Sequence, residues 1–251
     1  RLRGLGRHRV RIRPEEGFVA VFTFPVVFGN ARRLDLLAWG EVGREMGKPP
    51  PDMEDLRMAE LMAPEAAIQR VFFWTSDWGE IKHAVFRHRE VVERLVEEGF
   101  EFEPADNMLE WLEALRAYGV RCCIYADEPR AKVEATLAKA GLSDHFDEII
   151  SSEEGCEAFE DVLLTASVRL QAPPNQIAAF CERPMDITAA HEVTSRAIAQ
   201  IGLYKAYELL SADACYRDLS DLRVYDIRKF FSNEDDGAPQ LQLQEETEVK
   251  R

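Results

Sequence analysis

Side chains able to attack, move a proton or hold a metal are scarce where this chain should display them. Residues 17–30, GFVAVFTFPVVFGN, are its longest nearly uninterrupted apolar run, and nothing from Phe18 to Asn30 carries a formal charge. Phe18 to Phe22 reads as a strand buried on both faces, because β-branched and aromatic residues fill successive positions without polar alternation. Pro25 lacks a backbone donor and ends that strand. In an α/β chain the loop after such a strand is a common place for a catalytic group. Here it offers Thr23, Phe24, Pro25, Val26 and Val27. A threonine hydroxyl needs an adjacent base to become a nucleophile, and Pro25 cannot supply one. Cysteines stand at 122, 123, 156, 181 and 215 with no CxxC spacing, so they read as reduced thiols. His83, His88 and Glu90 lack the i, i+4 spacing of a helical metal pair and read as a solvated helical face.

The elements that would position these groups fall into two styles. Residues 31–100 read as helices with little strand signal. Leu34, Leu37 and Val42 begin one apolar face, Pro49 to Pro51 break it, and Ile81, Val85, Val92 and Leu95 recur at helical spacing. Beyond residue 104, helix and strand alternate. Asp106 is a candidate N-cap for a helix carrying Leu109, Leu112 and Leu115, and Gly119 is a candidate terminator. Strands are expected at 120–125, 146–151 and 177–181, helices at 130–140, 158–170 and 187–200, a further strand after about 197, and a last helix or turn near 219–222. Repeated βα units of this length imply a parallel sheet covered on both faces. The expected fold is therefore α/β, a Rossmann-like parallel-sheet core (17–30 and 101–231) with an inserted α-helical cap (31–100). A basic arm (1–16) precedes it, and an acidic tail (232–251), low in large apolar residues, reads as disordered.

The formal net charge is -15, with 46 acids against 31 bases, which is the wrong sign for a nucleic-acid binder. Residues 1–13 reverse that balance with six arginines and no acid, so Arg1 to Arg13 is the one stretch suited to nucleic acid. The same arm reads equally as the remainder of an organelle transit peptide, a free tail, or a strap on an acidic partner. No apolar run is long enough to span a bilayer.

Against this pattern, FEPADNMLEWLEALRAYGV (102–120) and ADEPRAKVEATLAKAGLSDHFDEIISSEEG (126–155) resemble the core of the haloacid dehalogenase-like hydrolases. The subgroup they resemble contains the phosphoglycolate phosphatases and β-phosphoglucomutases. FCERPMDITAA (180–190) is similar to that subgroup's fourth motif, and IGLYKAYELLSADACYRDLSDL (201–222) to its C-terminal end. The resemblance implies an aspartate nucleophile at the end of the first strand and a second aspartate two residues on as acid and base. It also implies a hydroxyl after the second core strand, a lysine near the third, and fourth-motif acids that hold Mg²⁺. At the matching positions this chain has Thr23, Pro25, Ala126, Cys156 and the pair Cys181-Glu182. These six residues define a vestigial pocket with one carboxylate, a poor Mg²⁺ site.

The resulting expectation is a catalytically inactive haloacid dehalogenase-like protein with no catalytic residue, no metal site and no cofactor. It would act as a structural, assembly or regulatory subunit among other protein subunits of a larger complex. The alternatives are a Mg²⁺-dependent phosphatase or phosphomutase on a small phosphate ester, or a phosphometabolite or redox sensor using Cys156 and Cys181. The aromatic cluster Phe72, Phe73, Trp74 and Trp78 reads as cap core, or as a docking patch anchored by Trp74 and Trp78 with help from Arg7, Arg9 and Arg11. Arm and family together favour an organelle, a plastid before a mitochondrion, with the cytoplasm otherwise.

Overall fold

A computed structural model describes residues 17–232. The arm residues Arg7, Arg9 and Arg11, and all but the first residue of the tail, lie outside them. In chain order the core opens with β1 (Val19–Thr23) and a short α1 (Phe24–Val27). A helical insertion follows: α2 (Ala31–Glu45), α3 (Met53–Ala59), α4 (Pro64–Arg70) and α5 (Trp78–Glu97). The core resumes with α6 (Met108–Ala117), β2 (Cys122–Tyr125), α7 (Arg130–Lys139), β3 (Glu148–Ile150), α8 (Phe159–Arg169) and β4 (Ile177–Cys181). It closes with α9 (Pro184–Glu192), β5 (Arg196–Gln200), β6 (Ala214–Tyr216) and α10 (Val224–Lys229).

The six strands form one parallel sheet in the order β3-β2-β1-β4-β5-β6. The chain adds β2 and β3 on one side of β1 and β4 to β6 on the other, and this switch in strand order opens a crevice at the carboxyl ends of β1 and β4, where ligands of such sheets collect. Pleating divides the side chains between two cores. Ala20, Phe22, Ile124, Ala178 and Phe180 face α6, α7 and α10, and Phe22 stacks on Phe180 with ring centroids 4.4 Å apart. Val19, Val21, Ala179 and Cys181 face α8 and α9. Cys122 and Cys123 therefore point to opposite faces, both buried, and all five cysteines are free thiols.

The insertion has its own apolar cluster, built from Ala38, Trp39, Val42, Leu56, Ile68, Phe72, Trp74 and Ile81. Trp74 is only 2 % exposed and its indole N–H donates to the Pro49 carbonyl at 3.0 Å, so it is packing and not a docking anchor. Gly43 is required beside it: an added Cβ would lie 2.9 Å from the indole ring. Trp78 does lie on the surface, 61 % exposed, with Lys82 Nζ 4.8 Å above its ring. His88 departs from a solvated face, because its ring stacks on Trp39 at 4.0 Å. Asn30 clamps the two passages between core and insertion: its side chain donates to the Glu101 carbonyl and accepts from the Glu103 N–H, both at 2.9 Å.

Three local expectations shift. The stretch expected as helix 187–200 divides into α9 and β5, because Thr194 adopts a left-handed φ of 67° and Ala197, Ile198 and Ala199 then pair with β4. The alanine-rich segment has helical propensity, but the sheet offers a buried ladder to satisfy its backbone. The residue before α6 is Asn107, left-handed at φ 61°, not Asp106; its side chain donates to Asp218 instead of capping. Strand β6 and helix α10 carry too few residues for periodicity to reveal them.

Candidate functional site

The crevice at the carboxyl ends of β1, β2 and β4 holds a cavity of about 360 Å³. Thr23, the last residue of β1, lines it together with Pro25 of α1, Ala126 after β2 and Glu182 after β4. Four of the six residues singled out from the sequence thus meet in one place. Cys156 and Cys181 do not line the cavity. Cys181 has the parity of Ile177 and Ala179, so it points into the core beneath α8 and α9. Burial, with help from Asp186 and Glu182, pushes its thiol pKa well above the ordinary value. Cys156 is half-buried against the same core, 3.9 Å from Thr165 Oγ1. A thiolate is the reactive form, so the buried Cys181 offers little to a redox role.

At the tip of β1, Thr23 is buried and caps α1 only by position, without a side-chain hydrogen bond. Ala126 has no hydroxyl; its backbone N–H donates to the Ile150 carbonyl at 3.0 Å. Glu182 is buried, and its carboxylate accepts from Arg32 Nη1, a residue in the first turn of α2. Arg32 also forks onto Glu60, with Nε 2.6 Å from one oxygen and Nη2 3.2 Å from the other. Burial raises the pKa of Glu182, and Arg32 opposes that rise without reversing it. Burial likewise works against the Arg32 cation, but Glu182 and Glu60 together hold its pKa above the ordinary value. Asp186, nearly enclosed on α9, is gripped by Arg183 through two bonds of 2.7 and 3.0 Å. Burial raises the Asp186 pKa, opposed by the same arginine.

This donor set does not fit Mg²⁺. A hard divalent ion takes oxygen ligands from carboxylates free to face it, whereas Glu182 and Asp186 are each occupied by a guanidinium. Among the described residues no group of three or more His, Cys, Asp or Glu side chains is arranged to hold a metal ion. The charge balance also disfavours phosphate: Asp35, Glu60, Asp127, Glu128, Glu182 and Asp186 line the cavity against Arg32 and Arg183.

Sequence reading missed Arg32, Glu60 and Arg183. The spacing of three between Arg183, just before α9, and Asp186 in its first turn was a usable signal. Nothing in the sequence linked Arg32 to a carboxylate 150 positions away.

Comparison with known proteins bears on the same site. A family model described as haloacid dehalogenase-like hydrolase matches residues 45–200, a span that begins after β1 and so leaves out Thr23 and Pro25. A chloroplastic 5-amino-6-(5-phospho-D-ribitylamino)uracil phosphatase from Arabidopsis thaliana is 26 % identical over 218 residues, 86 % of this chain. The chain spans only 58 % of that relative's length. A haloacid dehalogenase-like family hydrolase from Streptococcus pneumoniae has the same fold, with a TM-score of 0.71 at 18 % identity over 84 % of this chain and 99 % of its own. A β-phosphoglucomutase from Clostridium difficile gives a TM-score of 0.68 at 13 % identity over 86 % and 97 %.

Proposed function

The chain belongs to the haloacid dehalogenase-like hydrolase family, and from that premise we propose that it is a member that no longer hydrolyses phosphate esters and works by binding other proteins as a subunit of a larger complex. One observation carries the reading: the strand tip that must present an attacking carboxylate presents Thr23, with Pro25 where a proton shuttle would stand. Attack on phosphorus needs a nucleophile within reach of a base and a cation to offset developing charge. Among the described residues the Thr23 hydroxyl makes no cap hydrogen bond and Pro25 supplies no base, and the carboxylate of Glu182 is bound to Arg32. The acid-rich lining adds repulsion for a phosphate dianion. A scaffold stripped of its chemistry keeps its surfaces, so binding is the role left to it. The chloroplastic relative supports a plastid setting.

A second reading follows from that relative, whose name makes it a phosphatase: a hydrolase of a small phosphate ester with an altered mechanism. The discriminating experiment is a phosphate-release assay with Mg²⁺ on 5-amino-6-(5-phospho-D-ribitylamino)uracil, phosphoglycolate and a panel of sugar phosphates. The expected result is no turnover above that of the Glu182→Gln variant. Turnover that Glu182→Gln abolishes would establish the second reading instead.

A further inference from the structure

Glu182, at the carboxyl end of β4, faces a cation that comes from the chain itself, Arg32. Arg32 belongs to the helical insertion and Glu182 to the core, so their ion pair joins the two parts of the molecule. The side chains are 13 % and 11 % exposed, so water competes little for the pair. Because the same guanidinium also grips Glu60, two carboxylates face one another across the width of a single cation. A second tie between the same parts lies close by: Arg57 Nη1 of α3 donates to Glu208, beyond β5, at 3.0 Å.

We propose that Arg32 is a built-in counter-cation, which takes the electrostatic place of the divalent metal at Glu182 and latches the helical insertion onto the core without metal or ligand. A fixed guanidinium supplies positive charge and three directed hydrogen bonds, but it has no open coordination position for a substrate oxygen. The latch is therefore closed in the free protein. Removing Arg32 would leave Glu60 and Glu182 opposed across a cation-sized gap, a pair suited to a divalent ion. The inference stands on the ion pairs and not on the absence of turnover, so its test is separate from the phosphatase assay.

The test uses Mn²⁺ as a paramagnetic probe, read by electron paramagnetic resonance, and thermal melting with and without Mg²⁺. The wild type is expected to show no saturable Mn²⁺ binding and no shift of Tm in Mg²⁺. Arg32→Ala is expected to bind Mn²⁺ saturably, at concentrations at least about tenfold below those at which the wild type shows any binding. Its Tm should rise by about 3–5 °C when Mg²⁺ is at ten times its Kd. The double variant Arg32→Ala with Glu182→Gln should lose that gain. Saturable Mn²⁺ binding by the wild type that needs Glu182, or a folded Arg32→Ala with no gain, overturns the proposal. If Arg32→Ala does not fold, hydrogen exchange decides between wild type and Glu182→Gln. Amides of α2 and α3 should exchange at least about tenfold faster in the variant. Equal exchange overturns the latch.

Discussion

At the cavity one guanidinium, Arg32, serves two carboxylates, whereas at the end of β3 one carboxylate, Glu154, serves two guanidiniums. Glu154 accepts from Arg130 at 3.1 Å, from Arg169 at 2.8 Å, and from the Ser151 N–H and hydroxyl at 2.6 Å each. Burial works to raise its pKa, but the Ser151 bonds and the two arginines outweigh it and hold the carboxyl at about 2. Glu182 goes the other way, since it is more deeply enclosed and shares its one guanidinium with Glu60. Four donors on two oxygens outweigh the burial of Glu154, whereas the single Arg32 donor does not outweigh that of Glu182. Reach differs too. The Glu154 cluster joins neighbours 3 to 24 positions apart and stiffens one rim of the sheet, while Arg32 joins residues 28 and 150 positions apart and ties insertion to core.

That contrast can be broken most severely at Arg32. Arg32→Ala leaves buried carboxylates without a counterion and should cost ~3–5 kcal/mol in urea denaturation. A loss below ~1 kcal/mol would place the pair among exposed, weak bridges. Glu154→Gln should cost less, ~1.5–3 kcal/mol, the worth of hydrogen bonds to a charged group. It should leave exchange in α2 and α3 unchanged; faster exchange there would erase the distinction of reach.

Acid sharpens the comparison further. The folded Glu154 carboxyl sits at about 2 against an ordinary 4.5, so its contribution is fully present above pH 4.5 and fades as pH falls towards 2. The stability gap between wild type and Glu154→Gln should therefore narrow between pH 5 and 3, read as ~1 kcal/mol or more of convergence; a constant gap would show that the depressed pKa is not what stabilises the rim. Within the insertion, Gly43→Ala presses on the Trp74 ring and should cost ~1–3 kcal/mol in thermal melting. Trp78→Ala, at the exposed start of α5, should change stability by less than ~1 kcal/mol.

Much of the molecule is legible from local pattern. Val19 to Thr23 forms the strand that its apolar run demands, Ile177 to Cys181 forms one to the residue, and Gly119 and Gly141 turn left-handed where the helices before them must stop. Thr23, Pro25, Ala126 and Glu182 converge as their order along the chain implies. The cysteines mark the limit of that reading. Strand parity already assigned Cys181 to the side of Ile177 and Ala179, away from the cavity, but position in a motif outweighed it. Trp74 and Trp78 make the same point, since two tryptophans four positions apart part company, one packed on Gly43 and one in water.

Local pattern alone thus specified the sheet, the helical insertion and a β1 tip that carries Thr23 and Pro25 with no carboxylate, because hydrophobic periodicity and residue type act at short range. Only the tertiary structure decided that Glu182 would face a guanidinium. Arg32 and Glu182 are 150 residues apart and carry no common period, and burying either charge is tolerable only where the fold brings the other to it.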